Sequence, residues 1–499
     1  MAPPGVDATR ITRAVSWNTL ATGTVAAIQL GRSMILARLL KPDDYGLFGM
    51  AALAAATVGA LTNFTAAGSV IVRSDADAVQ REVVDSIWTF DVMRQGLVTL
   101  LLLAAAYPVG WYFRDPRVST VLLITAFTPL INALSNIGLM LARKDMQFHL
   151  VSVHRIASEV ALTSLSILLA VATRNVWALV FGQLVGTAIS VVLSYWLHPY
   201  RPRLHYSRQA VAGSIVFARS MFVLTLFTFA TTQFEQVVVG RYLGAAVLGA
   251  YLLAQRLATF PVDFLTESIN SAMFPAFASL SKPESRALAV RALSESLALT
   301  AAVLSLTLLP MRLASRDIVG LLYGEQWVAA AGEILAVVTL AALLRGMARV
   351  FSPLLQGFGR AAWDARFKVV EAAVFVPLTL LLVPRFGLAG AGWAGVASYF
   401  VAAVMRFVAA SRLLPGCGQP LRRVLGSITV GAAAGYAGAL LLIGLGLAKL
   451  WAAGVYAAFL GVYFYATQAE LRGRLKNTWE IAHAKLVSRK WTSADAPRP

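Results

Sequence analysis

The chain is a succession of apolar runs, each about 20 residues or longer, joined by short loops that carry Arg and Lys. Inside lipid a backbone must satisfy its own N–H and C=O groups, so it crosses only as a helix or as a closed barrel. Runs of this length, without two-residue alternation, predict helices. About fourteen spans are expected, at roughly 14–40, 45–72, 83–107, 118–142, 147–173, 176–198, 210–240, 245–279, 287–313, 326–357, 364–384, 387–413, 421–447 and 450–469. Pro261 and Pro353 should kink the eighth and tenth. Charged residues make up 13% of the chain, about half the share of a soluble domain, and the mean hydropathy is +0.70. The fold class is therefore an all-α integral membrane protein.

The net charge of +19 has two readings. A nucleic-acid binder gathers its cations on one soluble face, whereas a membrane protein places them in cytoplasmic loops. Here they fall between apolar runs, so no nucleic-acid partner is expected. With a cytoplasmic N-terminus, about 24 cations lie inside and 10 outside, which puts both termini in the cytoplasm. The single cysteine, Cys417, excludes an internal disulfide and a cysteine metal cluster. No P-loop and no His-Glu-x-x-His stretch is present, and no enzyme activity, metal or cofactor is expected.

Six spans precede a basic, Pro-containing stretch at 200–209. The expected organisation is a six-helix lobe at 1–199, this stretch as a cytoplasmic hinge, a second six-helix lobe at 210–414 and two further spans at 415–469. A basic amphipathic tail at 470–499 should lie on anionic lipid. An internal repeat supports the lobes. Arg38-Leu39-Leu40 followed by Tyr45-Gly46-Leu47-Phe48 returns as Arg241-Tyr242-Leu243 followed by Leu248-Gly249-Ala250-Tyr251, 203 residues later. Six is even, so the lobes share one orientation and are expected to be related by a pseudo-two-fold axis along the membrane normal. The pairs Gly182/Gly186, Gly240/Gly244 and Gly431/Gly435, and the run Gly390–Gly395, read as close helix packing.

The run Gly31–Leu40 with Pro42–Phe48, the stretch Trp177–Gly186, the Tyr200–Arg203 hinge, and Thr232–Glu235 with Gly240–Gly244 together resemble the Wzx-type polysaccharide flippases. These belong to the multidrug/oligosaccharidyl-lipid/polysaccharide exporter superfamily. The resemblance implies a multi-pass protein of the bacterial cytoplasmic membrane. It would move a polyprenyl-diphosphate-linked oligosaccharide to the periplasmic leaflet by alternating access, for O-antigen or exopolysaccharide synthesis. It also implies membrane lipids and other polysaccharide-assembly membrane proteins as partners. The related lipid II flippases have Gly-x-x-Arg-Asp in the first helix; here Gln29 and Ser33 stand at the Gly and Asp positions, and Arg32 is kept.

An Arg in mid-membrane is costly and needs a wet cavity or an acidic partner. Arg32, Arg256, Arg219, Arg345 and Arg349 are candidates to bind the diphosphate, since guanidinium forks suit phosphate oxygens. For Arg32 a structural ion pair stays open, and Arg219 could instead snorkel to the interface. Glu235, Asp263 and Glu267 are the candidates for proton or sodium coupling, with a salt bridge from Glu235 to Arg256 or Arg32 as the alternative. Arg155 with Glu159, Asp91 with Arg94 and Lys368 with Glu371 have the spacing of pairs within one helix. Three rival functions remain: a drug/ion antiporter of the same superfamily, a membrane polymerase or glycosyltransferase, and a scaffold of polysaccharide assembly. The first should have an acidic, aromatic pocket, the second a sizeable outer loop, and the third leaves the repeat unexplained.

Overall fold

A computed structural model describes residues 8–62, 77–145, 147–207 and 225–467. Their regular secondary structure is helical, with no strand among the described residues. In chain order the helices are α1 Ala8–Leu39, α2 Pro42–Leu61, α3 Asp77–Phe113, α4 Pro116–Thr125, α5 Thr128–Ala133, α6 Gly138–Lys144, α7 Phe148–Thr173 and α8 Trp177–Leu197. There follow α9 Phe234–Leu243, α10 Ala245–Ser279, α11 Arg286–Leu313, α12 Ser315–Tyr323, α13 Val328–Arg349, α14 Ser352–Gly357, α15 Ala361–Leu413, α16 Gly418–Gly444 and α17 Lys449–Thr467.

Among the described residues eleven helices are long and apolar enough to cross a membrane, or twelve if the pair Pro116–Ala133 and Gly138–Lys144, bent by 52°, is one broken span. The count of fourteen is thus not reached, for two reasons. The seventh expected span lies partly outside the described residues. The eleventh and twelfth form α15, 53 residues long, in which Gly387 (φ 58°, ψ −135°) breaks the helical path. A straight helix of that length would run ~80 Å, far beyond a ~30 Å hydrocarbon layer, so a break is required. Pro353 does open a new short helix, α14, whereas Pro261 sits inside the continuous α10. The tail at 470–499 is outside the described residues.

The chain packs into two compact units that interleave in sequence. The first takes Met1–Leu257, Val319–Ile334 and Ala372–Ala394; the second takes Ala258–Ile318, Leu335–Glu371 and Gly395–Pro499. This division by packing is distinct from the lobes, which rest on the repeat.

In the first unit the repeat becomes a physical contact. Pro42 opens α2 and Ala245 opens α10, again 203 residues apart. A Cβ on Gly46 would run into the Ala245 carbonyl, and a Cβ on Gly249 into the Pro42 carbonyl. Gly46 and Gly249 are equivalent in the repeat, and so are Pro42 and Ala245. Each copy therefore offers the other the same surface, the signature of a local two-fold axis. Elsewhere in this unit Gly182 and Gly186 of α8 lie against Ser166 and Leu162 of α7, as close packing requires. Gly244 serves differently: its φ of +86° makes the turn between α9 and α10, and no atom crowds it. Gly390 folds onto the backbone of Leu382 across the Gly387 break.

The first part of the expected hinge is tied down. Residues 200–207 run without helix along α3. Alternate backbone N–H groups, those of Arg203, His205 and Ser207, donate to Asp85 Oδ1 (3.2 Å), Thr89 Oγ1 (3.1 Å) and Ser86 Oγ (3.1 Å). An extended chain turns every second N–H the same way, and positions 85, 86 and 89 share one helical face. The Tyr200 hydroxyl also donates to Asp85 Oδ1, at 2.7 Å. Burial first, then the Asp85 carboxylate, push that hydroxyl above its ordinary range, so it remains a donor at neutral pH. At the 52° bend, Asn136 Nδ2 donates to the carbonyls of His198 (3.1 Å) and Tyr200 (2.7 Å), which fixes the start of the hinge.

In the second unit α16 and α17 are part of the core. Cys417, Leu421, Tyr456 and Leu460 are buried with Leu293, Leu297 and Ala301 of α11. Gly431 and Gly435 of α16 sit beneath Tyr463 and Tyr456 of α17. These two helices are thus packed elements of this unit.

Candidate translocation site

The first unit holds a polar seam where α1 meets α7. Thr22, Gln29 and Arg32 repeat at near-helical spacing on α1, as do Ser152, Arg155 and Glu159 on α7. Ser152 Oγ donates to the Trp17 carbonyl (3.2 Å) and Arg155 Nη1 to Thr22 Oγ1 (3.4 Å). Deeper in the seam Arg32 Nη1 lies 3.1 Å from Glu159 Oε1, with the two side chains 18% and 13% exposed. Neither of these two atoms has a partner in hydrogen-bond geometry, so the ion pair is close but poorly aligned.

Gln29 extends the network. Its Nε2 donates to Glu159 Oε2 and its Oε1 accepts from Arg256 Nη2 of α10, both at 2.9 Å. Arg32, Glu159, Gln29 and Arg256 form one bonded chain, with two guanidiniums and one carboxylate. One positive charge is left over, and Arg256 is exposed. The neighbouring Gln255 turns the other way: its Nε2 donates to Glu235 Oε1 (2.6 Å), and its Oε1 accepts from Gln236 (2.7 Å). Glu235 is buried and accepts from this amide.

Aromatic groups close the end of α1. Trp327 Nε1 donates to the Ala37 carbonyl (2.7 Å), and Gln326 Nε2 donates to the carbonyls of Ala37 (2.8 Å) and Leu40 (3.1 Å). Arg38 in return donates to the carbonyls of Leu321 and Leu322, near the end of α12. Each helix end has carbonyls without intrahelical partners, and the other segment supplies the donors. Tyr45 meets Trp327 edge-on at 5.5 Å.

The remaining candidates are placed as follows. Arg345 and Arg349, in the second unit, both face Asp263, at 3.7 Å and 2.6 Å. Glu267 is exposed. Arg219 lies outside the described residues. Asp91 and Arg94 pair along their helix as expected (2.7 Å). Glu159 reaches across to α1, and Glu371 is held by Arg406 of the same long helix (3.2 Å), contacts that spacing does not reveal. Sequence reasoning missed Gln29, Gln255 and Arg406 as site or network members. Arg406 is 4% exposed and also meets Asp364 at 3.1 Å. No periodicity links position 406 to 364; only the fold does.

The sequence profile of a family described as polysaccharide biosynthesis protein matches residues 35–332. The chain belongs to this family. The matched range holds Glu159, Glu235, Gln255 and Arg256, and Gln29 and Arg32 fall just before it. Among relatives of this polysaccharide biosynthesis family, the chain is 26% identical over 374 residues to the succinoglycan biosynthesis transport protein ExoT of Rhizobium meliloti (strain 1021), covering 74% of each protein. It is 23% identical over 373 residues to the lipopolysaccharide biosynthesis protein WzxC of Escherichia coli (strain K12), covering 73% of each. Among solved structures it resembles the lipid II flippase MurJ in an inward closed conformation, with a TM-score of 0.69 at 12% identity over 91% of this chain and 99% of that one. An inward-facing MATE family multidrug resistance transporter of the MOP superfamily gives a TM-score of 0.61 at 14% identity, over 78% of this chain and 95% of that one. At such identities the likeness shows a shared fold.

Proposed function

We propose that this protein is a flippase that carries a polyprenyl-diphosphate-linked oligosaccharide from the cytoplasmic to the periplasmic leaflet by alternating access. The observation that carries this reading is the bonded chain Arg32–Glu159–Gln29–Arg256, with its surplus positive charge on an exposed guanidinium. A diphosphate supplies several oxygens for such forks, and the polyprenyl tail can stay in lipid meanwhile. Membership of a polysaccharide biosynthesis family and relatives named as biosynthesis transport proteins support the substrate class. Lobes 1–199 and 210–414 would rock about the basic hinge, with both termini in the cytoplasm. Arg219, Arg345 and Arg349 are assigned further contacts with the headgroup. Glu235, Asp263 and Glu267 are assigned to coupling with protons or sodium. A cation-exporting antiporter is the poorer reading, because guanidiniums in the site would repel its cargo.

The test is flipping of a fluorescent polyprenyl-diphosphate oligosaccharide in proteoliposomes. The wild type is expected to flip it, Arg256→Gln to slow it, and Arg32→Lys to retain part of the rate that Arg32→Ala loses. A folded wild-type protein that flips no lipid-linked sugar sinks the reading.

A further inference from the structure

The second unit contains a cavity of about 360 Å³ outside the site described above, lined by Trp363, Arg366, Phe367, Val404, Met405, Val408, Ala409 and Arg412. We propose that it is a binding site for an anionic glycerophospholipid of the cytoplasmic leaflet, with the phosphate between Arg366 and Arg412 and one acyl chain in the groove. This inference does not rest on the transport reading.

Two helical stripes build the groove. Trp363, Arg366 and Phe367 share one face near the start of α15, at spacings of three and four. Val404, Val408 and Arg412 share another near its end, at two spacings of four. The helix break at Gly387 lies between these stripes and allows the chain to turn back. The floor is apolar and open: Val404 is 45% and Val408 42% exposed. In a membrane such a surface is covered by lipid chains in any case. What makes it a site is the rim.

Arg366 and Arg412 are both exposed there, and Arg360 stacks over the Trp363 ring at 5.4 Å, adding a third cation. All three are on the side that the positive-inside bias assigns to the cytoplasm, where anionic lipids create a negative surface potential. Trp363 suits the headgroup level, as interfacial tryptophans do. The cavity volume falls in the range of small-molecule sites. Guanidinium pairs facing a phosphate, over an apolar slot for a chain, complement an anionic phospholipid and not a zwitterionic one, whose own cation would be repelled.

The full-length protein, purified in detergent, would be offered phosphatidylglycerol or phosphatidylcholine at equal mole fraction, and bound lipid counted by native mass spectrometry. Wild type is expected to retain phosphatidylglycerol preferentially. The double variant Arg366→Gln/Arg412→Gln should retain on the order of tenfold less or lower. Val408→Trp, which fills the groove and keeps both cations, should also lower retention. All of these positions but Ala409 are at least partly exposed, and a melting curve checks that each variant is folded. Equal retention by wild type and the double variant would overturn the proposal. So would retention unchanged by Val408→Trp, which would mean diffuse surface charge. Displacement of phosphatidylglycerol by an equal amount of a short polyprenyl diphosphate would reassign the groove to the substrate and equally overturn it.

Discussion

Arg32 and Glu159 lie 3.1 Å apart and mostly buried, and they constrain each other. Removing one partner of a buried pair leaves the other charge without compensation, which costs on the order of 3–5 kcal/mol. Arg32→Ala alone should therefore lower thermal stability in detergent, and adding Glu159→Gln to the same chain should recover most of that loss. If the double variant melts no higher than Arg32→Ala, the two side chains are not coupled. This control also separates loss of substrate binding from loss of fold in the flipping assay. At this scale the sequence was half legible. A guanidinium within an apolar run announces that something must compensate it, and Arg32 and Arg256 both stand out for that reason. Their partners do not stand out. Glu159 has Arg155 four residues away and so looks satisfied within its own helix, and Gln29 is neutral and raises no alarm. Identifying them requires knowing that α1 and α7 are neighbours.

Between elements, two contacts set how the first unit is held. The Asp85 carboxylate accepts from the Tyr200 hydroxyl and the Arg203 N–H while being 6% exposed. With Asp85→Ala both donors lose this acceptor, at a cost of about 1–3 kcal/mol for each one left buried and unsatisfied. Trypsin should then cut faster after Arg203, because the extended segment leaves α3; cleavage at the wild-type rate would show that the remaining ties suffice. The second contact is the pair Gly46 and Gly249. Their missing Cβ atoms face backbone, which no rotamer change can move aside. Gly46→Ala and Gly249→Ala should each destabilise by roughly 1–3 kcal/mol, the usual range for overpacking. Because the contact is reciprocal, their melting temperatures should fall by similar amounts. A large loss for one and none for the other would break the two-fold account. The repeat was legible in the sequence as an offset of 203 residues, since glycine and aromatic spacing survive in both copies. That the two copies touch at those glycines was not legible, because spacing within a copy carries no information about distance between copies. The 52° bend after Ala133 also escaped: the apolar run around it is continuous, and only the Asn136 bonds to 198 and 200 reveal that the backbone departs from one straight span.

For the whole molecule, hydrophobic run length fixes the membrane class almost unaided, while the span count depends on where helices break, and breaks come from single residues such as Gly387. Transport adds a demand that no run length expresses, namely a source of free energy. Moving one charge through a potential of 100 mV is worth about 2.3 kcal/mol. A diphosphate headgroup carries more than one negative charge, so uncompensated movement would be strongly sensitive to potential. A carboxylate that takes up a cation as the headgroup leaves could offset part of this. Glu235, buried and bonded to Gln255, is the candidate in the first unit, and Asp263, shared by Arg345 and Arg349, the one in the second. The expected outcome in proteoliposomes is that the rate of flipping responds to an imposed proton or sodium gradient, and that Glu235→Gln removes the response while Arg32 and Arg256 still bind the headgroup. A response retained in Glu235→Gln but lost in Asp263→Asn would move the coupling to the second unit. Indifference of the wild type to both gradients and to the potential would mean that coupling by either carboxylate is absent and that flipping runs down the gradient of the lipid-linked sugar alone.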